Sequence, residues 1–94
     1  MKNRELIVVG GGGFAKEVVW LARDCGFNVI GLLDDNEANH GAMVNGAAVL
    51  GSVSSWVEYR DKQFVIAIGN PRTKRAVVGK MEALGKHEYA ILIH

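Results

Sequence analysis

The residues best suited to chemistry in this sequence are glycines, and the chemistry they suit is holding a phosphate. Gly10-Gly11-Gly12-Gly13-Phe14-Ala15 fits the pattern G-x-G-x-x-[GA] at Gly10, Gly12 and Ala15. A glycine at the first position permits a tight turn, one at the second lets backbone approach a phosphate closely, and a small third residue lets a helix sit near a strand. The first N–H groups of the helix that follows lack acceptors within it and point at an anion. The plainer alternative is a glycine-rich turn that only packs a helix on a sheet. Asp34 closes the next apolar segment, where an acidic side chain accepts hydrogen bonds from a ribose in dinucleotide-binding folds, and Asp35 stands beside it. A solvated Asp-Asp turn is the competing reading. Gly69 and Asn70 end a third apolar segment and supply a second loop. Beyond them Arg72, Lys74 and Arg75 lie near a helix start, where cations oppose the macrodipole. Either one or two of them reach a diphosphate, or all three belong to a solvated basic face.

Other chemistries find little support. Cys25 is alone and lies on the apolar stripe of a helix, as a packed thiol does, and His40, His87 and His94 show no metal-ligand spacing. No catalytic residue and no metal site is expected. A net charge of +1 gives no general attraction to nucleic acid or to an anionic membrane. The apolar run Leu6 to Val9 is too short for a signal-peptide core or a membrane span, so the chain reads as cytoplasmic.

These residues need a scaffold, and 94 residues that are 49% hydrophobic and 22% charged allow one globular domain, 1–94. Leu6-Ile7-Val8-Val9 is unbroken, the mark of a strand covered on both faces. Phe14 to Cys25 has helical spacing, with Gly26 as its stop. Asn28 to Leu33 and Gln63 to Ile68 read as the second and third strands. The stretch from Glu37 to Gly51 has no clear period and reads as a loop with a short extended piece, Ala48 to Leu50. Ser55 and Glu58 make a capping box for a short helix. Asn70 as N-cap and Pro71 at the first helical position open a helix to about Leu84, with Val77, Val78, Met81 and Leu84 inward. Tyr89 to Ile93 reads as a fourth strand. The expected fold is α/β, a Rossmann-like parallel sheet of about four strands in the order 2-1-3-4 with helices on both faces. Winding then reverses between strands one and three, opening a crevice at their carboxyl ends where the two glycine-bearing loops meet. Trp20 falls on the polar side of the first helix, either as a half-buried edge residue or as part of an interface.

Four blocks in order, Ile7-Val8-Val9-Gly10-Gly11-Gly12-Gly13-Phe14-Ala15-Lys16-Glu17, Leu32-Leu33-Asp34-Asp35, Val49-Leu50-Gly51 and Ala67-Ile68-Gly69-Asn70, resemble the N-terminal domain of bacterial sugar acetyltransferases. That family includes sialic acid O-acetyltransferases and UDP-4-amino-sugar N-acetyltransferases. The resemblance implies a sugar-nucleotide-binding module that takes a UDP-sugar and binds no cofactor itself. The family's acetyl-CoA site, catalytic histidine and trimer contacts belong to a following left-handed β-helix, which is not among these residues, so the chain alone is expected to be inactive and a homotrimer is expected only with that domain. The contacts carried over fall on Gly12, Gly13, Phe14, Asp34, Asp35 and Gly69, and the residue reading adds Gly10 and Asn70. Many members have histidine at Phe14, and a phenyl ring cannot donate a hydrogen bond to phosphate or sugar. An NAD-binding fragment of an oxidoreductase shares the glycines and Asp34 but would need a second mononucleotide-binding half. A non-enzymatic regulatory or assembly module would rest on Trp20.

Overall fold

The computed structural model describes residues 4–85 and, for the backbone alone, Glu88–Tyr89. The elements in chain order are β1 (Glu5–Val9), α1 (Gly13–Asp24), β2 (Asn28–Leu33), a 3-10 turn (Glu37–Asn39), β3 (Met43–Val44), β4 (Ala47–Gly51), a 3-10 helix (Val53–Tyr59), β5 (Gln63–Ile66), α2 (Pro71–Ala83) and β6 (Glu88–Tyr89). They form one sheet in the order β3-β4-β2-β1-β5-β6. The expected order of the four strands is therefore present as β2-β1-β5-β6. Two further strands extend the sheet beyond β2, and β3 makes it mixed because it runs antiparallel to β4. Of the expected strand from Tyr89 to Ile93 only Tyr89 is among the described residues, as part of β6, which pairs in parallel with β5.

β1 is central because both its faces are buried. Leu6 and Val8 point into one core with Ala15, Val18, Val19 and Ala22 of α1. Ile7 and Val9 point into the other, with Trp56 and Phe64 and with Val77 and Met81 of α2. The alternation of a strand thus divides one apolar run between two layers, and a helix closes each layer. In the second core Trp56 and Phe64 meet edge to face at 5.9 Å, and the Arg60 guanidinium covers the outer face of the Trp56 ring at 4.6 Å.

Several expectations need correction. The capping box of Ser55 and Glu58 does not form. The 3-10 helix begins earlier, at Val53, with no side-chain cap from Ser52, and the Val53 N–H donates instead to Asp35 Oδ1 at 3.0 Å. A carboxylate from another loop has taken the place of a local cap. β5 ends at Ile66, two residues early, with Ala67 N–H still donating to Val9 O at 2.8 Å. Leu84 is exposed, because α2 ends at Ala83 and Leu84 is its C-cap. The stretch from Glu37 to Gly51 carries its expected extended piece, Ala48 to Leu50, within β4, but it contains a β-hairpin where a loop was expected before that piece. Asn45 (φ 49°) and Gly46 (φ 83°) are both left-handed between β3 and β4, as a two-residue hairpin turn requires.

Candidate functional site

The chain winds from β1 through β2 to β4 on one side and then crosses back to β5 on the other, so the reversal falls between β1 and β5. At the carboxyl ends of these strands lies a cleft of about 610 Å³. All eight residues singled out from the sequence line it: Gly10, Gly12, Gly13, Phe14, Asp34, Asp35, Gly69 and Asn70.

The glycines divide by what a side chain would meet. Gly10 has φ +114°, and a Cβ there would lie 2.8 Å from the Ala67 carbonyl oxygen, so the fold itself requires glycine at this position. At Gly12, Gly13 and Gly69 a Cβ would meet nothing within 4 Å. Nothing in the described protein needs those three to be glycine, and together they leave a bare backbone cradle. Gly12 is the N-cap of α1 and offers no side chain to the helix, so the first-turn N–H groups of Gly13 and Phe14 have no acceptor one turn back. Phe14 is half-exposed at the mouth of the cleft. The start of α2 opens on the same space, but there Asn70 Oδ1 already accepts from the N–H groups of Arg72 at 3.0 Å and Thr73 at 3.1 Å.

The two acidic residues turn different ways. Asp34 Oδ2 accepts from Gly11 N–H at 3.1 Å and from Asn39 Nδ2 at 2.7 Å, while its Oδ1 accepts from Asn36 N–H at 3.0 Å. Asp35 accepts from Val53 N–H and, through Oδ2, from Lys80 Nζ at 2.7 Å. Burial draws the Asp35 carboxyl upward, but the hydrogen bonds from Lys80 and Val53 outweigh it and hold the group below the ordinary 3.8.

Sequence reasoning missed Lys80. It faces the cleft with Thr73, Ala76 and Val77, a spacing of one helical face, whereas Arg72, Lys74 and Arg75 are exposed and do not line the cleft. The basic residues at the start of α2 are thus a solvated face. The signal for Lys80 was its helical spacing from Thr73 and Val77, readable once the buried side of α2 is known. Trp20 is 59% exposed on the outer side of α1, in a shallow groove with Lys16, Leu21 and Asn45. Among the described residues no cluster of His, Cys, Asp and Glu could hold a metal ion, and no helix is long and apolar enough to cross a membrane.

Comparison with known proteins bears on this cleft directly, since residues 5–81 match the PglD N-terminal domain. The chain belongs to that family. The PglD N-terminal match takes in every element from β1 to the buried Met81 of α2, and so the whole wall of the cleft. No curated protein sequence matches. Among solved structures, the acetyltransferase domain of PglB from Neisseria gonorrhoeae FA1090 is similar at 34% identity and a TM-score of 0.79 over 98% of this chain. The same gonococcal domain in complex with acetyl coenzyme A is similar at 33% identity and a TM-score of 0.73 over 89%. This chain spans 45% and 41% of those two chains, less than half of each.

Proposed function

We propose that residues 1–94 form the sugar-nucleotide-binding module of a bacterial sugar O- or N-acetyltransferase, with a UDP-sugar held in the cleft between β1 and β5. The observation that carries the reading is the bare cradle of Gly12, Gly13 and Gly69 beside an uncapped helix start, in a chain of the PglD N-terminal family. A diphosphate over the loop accepts from the open N–H groups and stands at the positive end of the α1 dipole. A cavity of about 610 Å³ falls within the usual size of small-molecule sites, about 300–1,000 Å³. Phe14, Asp35, Gly69 and Asn70 then line the path of the nucleoside and sugar, and Asp34 shapes the loop beneath them.

In this reading acetyl-CoA is the donor and binds outside these residues, on a β-helix domain that also carries the general base and the trimer contacts. In the same reading the protein acts on nucleotide sugars and acetyl-CoA in the cytoplasm. The NAD-fragment alternative is not favoured, because the chain matches the PglD N-terminal family and is similar to an acetyltransferase domain over nearly its whole length.

Isothermal titration of the 94-residue chain with UDP, UDP-N-acetylglucosamine and NAD is the test. The expected result is binding of the uridine ligands in preference to NAD, with amide shifts at Gly10 to Phe14 and at Gly69. Tighter NAD binding, or shifts that bypass those loops, would overturn the reading. The chain by itself is expected to release no CoA from acetyl-CoA in the presence of any sugar nucleotide.

A further inference from the structure

The residue at the end of β2 in dinucleotide-binding folds is ordinarily assigned to the ribose. We infer that Asp34 is instead a positioning residue that holds the glycine loop in its anion-receiving shape through the Gly11 amide. The inference rests on the nucleotide-sugar reading of the cleft.

An ionised carboxylate offers about four acceptor sites. Three of those on Asp34 are filled from within the protein, by Gly11 N–H, Asn39 Nδ2 and Asn36 N–H. Its main chain is fixed as well: Asp34 N–H donates to Gly51 O at 2.8 Å, and Asp34 O lies 2.7 Å from His40 Nε2. A ribose hydroxyl would have to compete with donors that are already in place and that come from three separate positions. The geometry at Gly11 points the same way. A Cβ on Gly11 would sit 2.6 Å from Asp34 Oδ2, so the second glycine of the loop is there to admit the carboxylate.

The clamp also lies where it matters. Gly10 N–H is tied to Leu33 O at 2.7 Å and Gly11 N–H to Asp34, which leaves Gly12 as the next residue and the open N–H groups of Gly13 and Phe14 immediately beyond it. A charge-assisted hydrogen bond to the last tied amide sets the direction of the free ones. Preorganised donors of that kind favour an anion without having to be ordered by it.

The experiment compares UDP with inorganic pyrophosphate, which has no ribose, on wild type, Asp34→Asn and Asp34→Ala, and adds amide hydrogen exchange of Gly11 to Phe14 in the ligand-free chain. If Asp34 acts through the loop, Asp34→Ala weakens pyrophosphate and UDP by the same factor, about tenfold, and speeds exchange at those amides. Asp34→Asn should do the same to a smaller extent. Gly11→Ala, which pushes the loop off the carboxylate, should reproduce the effect and be less than additive with Asp34→Ala. Weakened UDP with unchanged pyrophosphate would return Asp34 to the ribose and overturn the inference. If wild type binds neither ligand, the function proposed above fails while exchange still decides this one: unchanged exchange in Asp34→Ala overturns the clamp, and faster exchange sustains it.

Discussion

Two helices begin at the same cleft, and they treat their first N–H groups in opposite ways. α2 is closed from within: Asn70 Oδ1 accepts from Arg72 and Thr73, Pro71 has no N–H to satisfy, and Lys74 N–H donates to Asn70 O at 2.9 Å. α1 starts on a glycine with no cap, and its first helical hydrogen bond is that of Ala15 N–H to Gly12 O at 3.0 Å. The difference separates stability from function. A side-chain cap fills the first donors of a helix and leaves little to offer a ligand, while a glycine start leaves them open, and under the proposed function these are the donors that meet the phosphate.

The sharpest way to break this comparison is Gly12→Val. A Cβ at Gly12 meets no protein atom within 4 Å, so the variant should fold, yet its branched side chain would occupy the space over the loop. UDP binding is expected to fall below detection by calorimetry while the circular dichroism spectrum is kept. Binding equal to that of the parent would place the phosphate elsewhere. Asn70→Ala should do the reverse. Loss of the cap is expected to cost about 1 kcal/mol. In a thermal melt this corresponds to a fall in Tm of about 4–8 °C. UDP affinity should change far less than in Gly12→Val, and a large loss of affinity with an unchanged Tm would show that α2 also serves the ligand.

A smaller effect is expected at the half-exposed pair of Lys80 and Asp35, for which about 1 kcal/mol is an upper figure. The folded-state carboxyl of Asp35 lies below its ordinary 3.8, so its contribution is full above that pH and is lost as pH falls through the folded value. Lys80→Met should therefore lower Tm slightly at pH 6, with the difference from wild type shrinking as pH falls below 3.8 and vanishing once the folded-state carboxyl is protonated. A difference that persists at the acid end would mean the lysine stem, and not its charge, carries the effect. The smallest change belongs to Lys74→Ala and Arg75→Ala, which should leave the Kd for UDP within about twofold at ~0.15 M salt. A larger shift from either would put the basic face into the site.

What was legible in the sequence was whatever depends on neighbours along the chain. The unbroken run Leu6 to Val9 announced a strand with two buried faces, and Asn70-Pro71 announced the start of α2, because each signal is complete within a few residues. The glycine loop could be located but not divided into its parts. That Gly10 and Gly11 answer to the fold while Gly12 and Gly13 do not depends on Ala67 and Asp34, which arrive from distant parts of the chain. Long-range partners also explain the errors. Asp35, just past the end of the neighbouring strand β2, caps Val53, and no local pattern around Ser55 reveals it. The hairpin is a different case, since Asn45-Gly46 is a strong local turn signal. Only its second strand shows in the sequence, as the extended piece Ala48 to Leu50, because Met43–Val44 is two residues long and neither flank has the apolar and polar alternation that marks paired strands.

That hairpin has a consequence for how the chain lives in company. β4 would otherwise end the sheet with a run of unpaired amides and carbonyls, and the neighbouring side chains of Met43 and Leu50 are exposed. An open edge of that kind is a template on which another chain can add a strand. By folding two residues back in the antiparallel sense, β3 covers part of the ladder and presents in its place an edge too short to recruit a stranger. The tight Asn-Gly turn thus shortens the edge on which another chain could pair, at the side of the sheet farthest from β6.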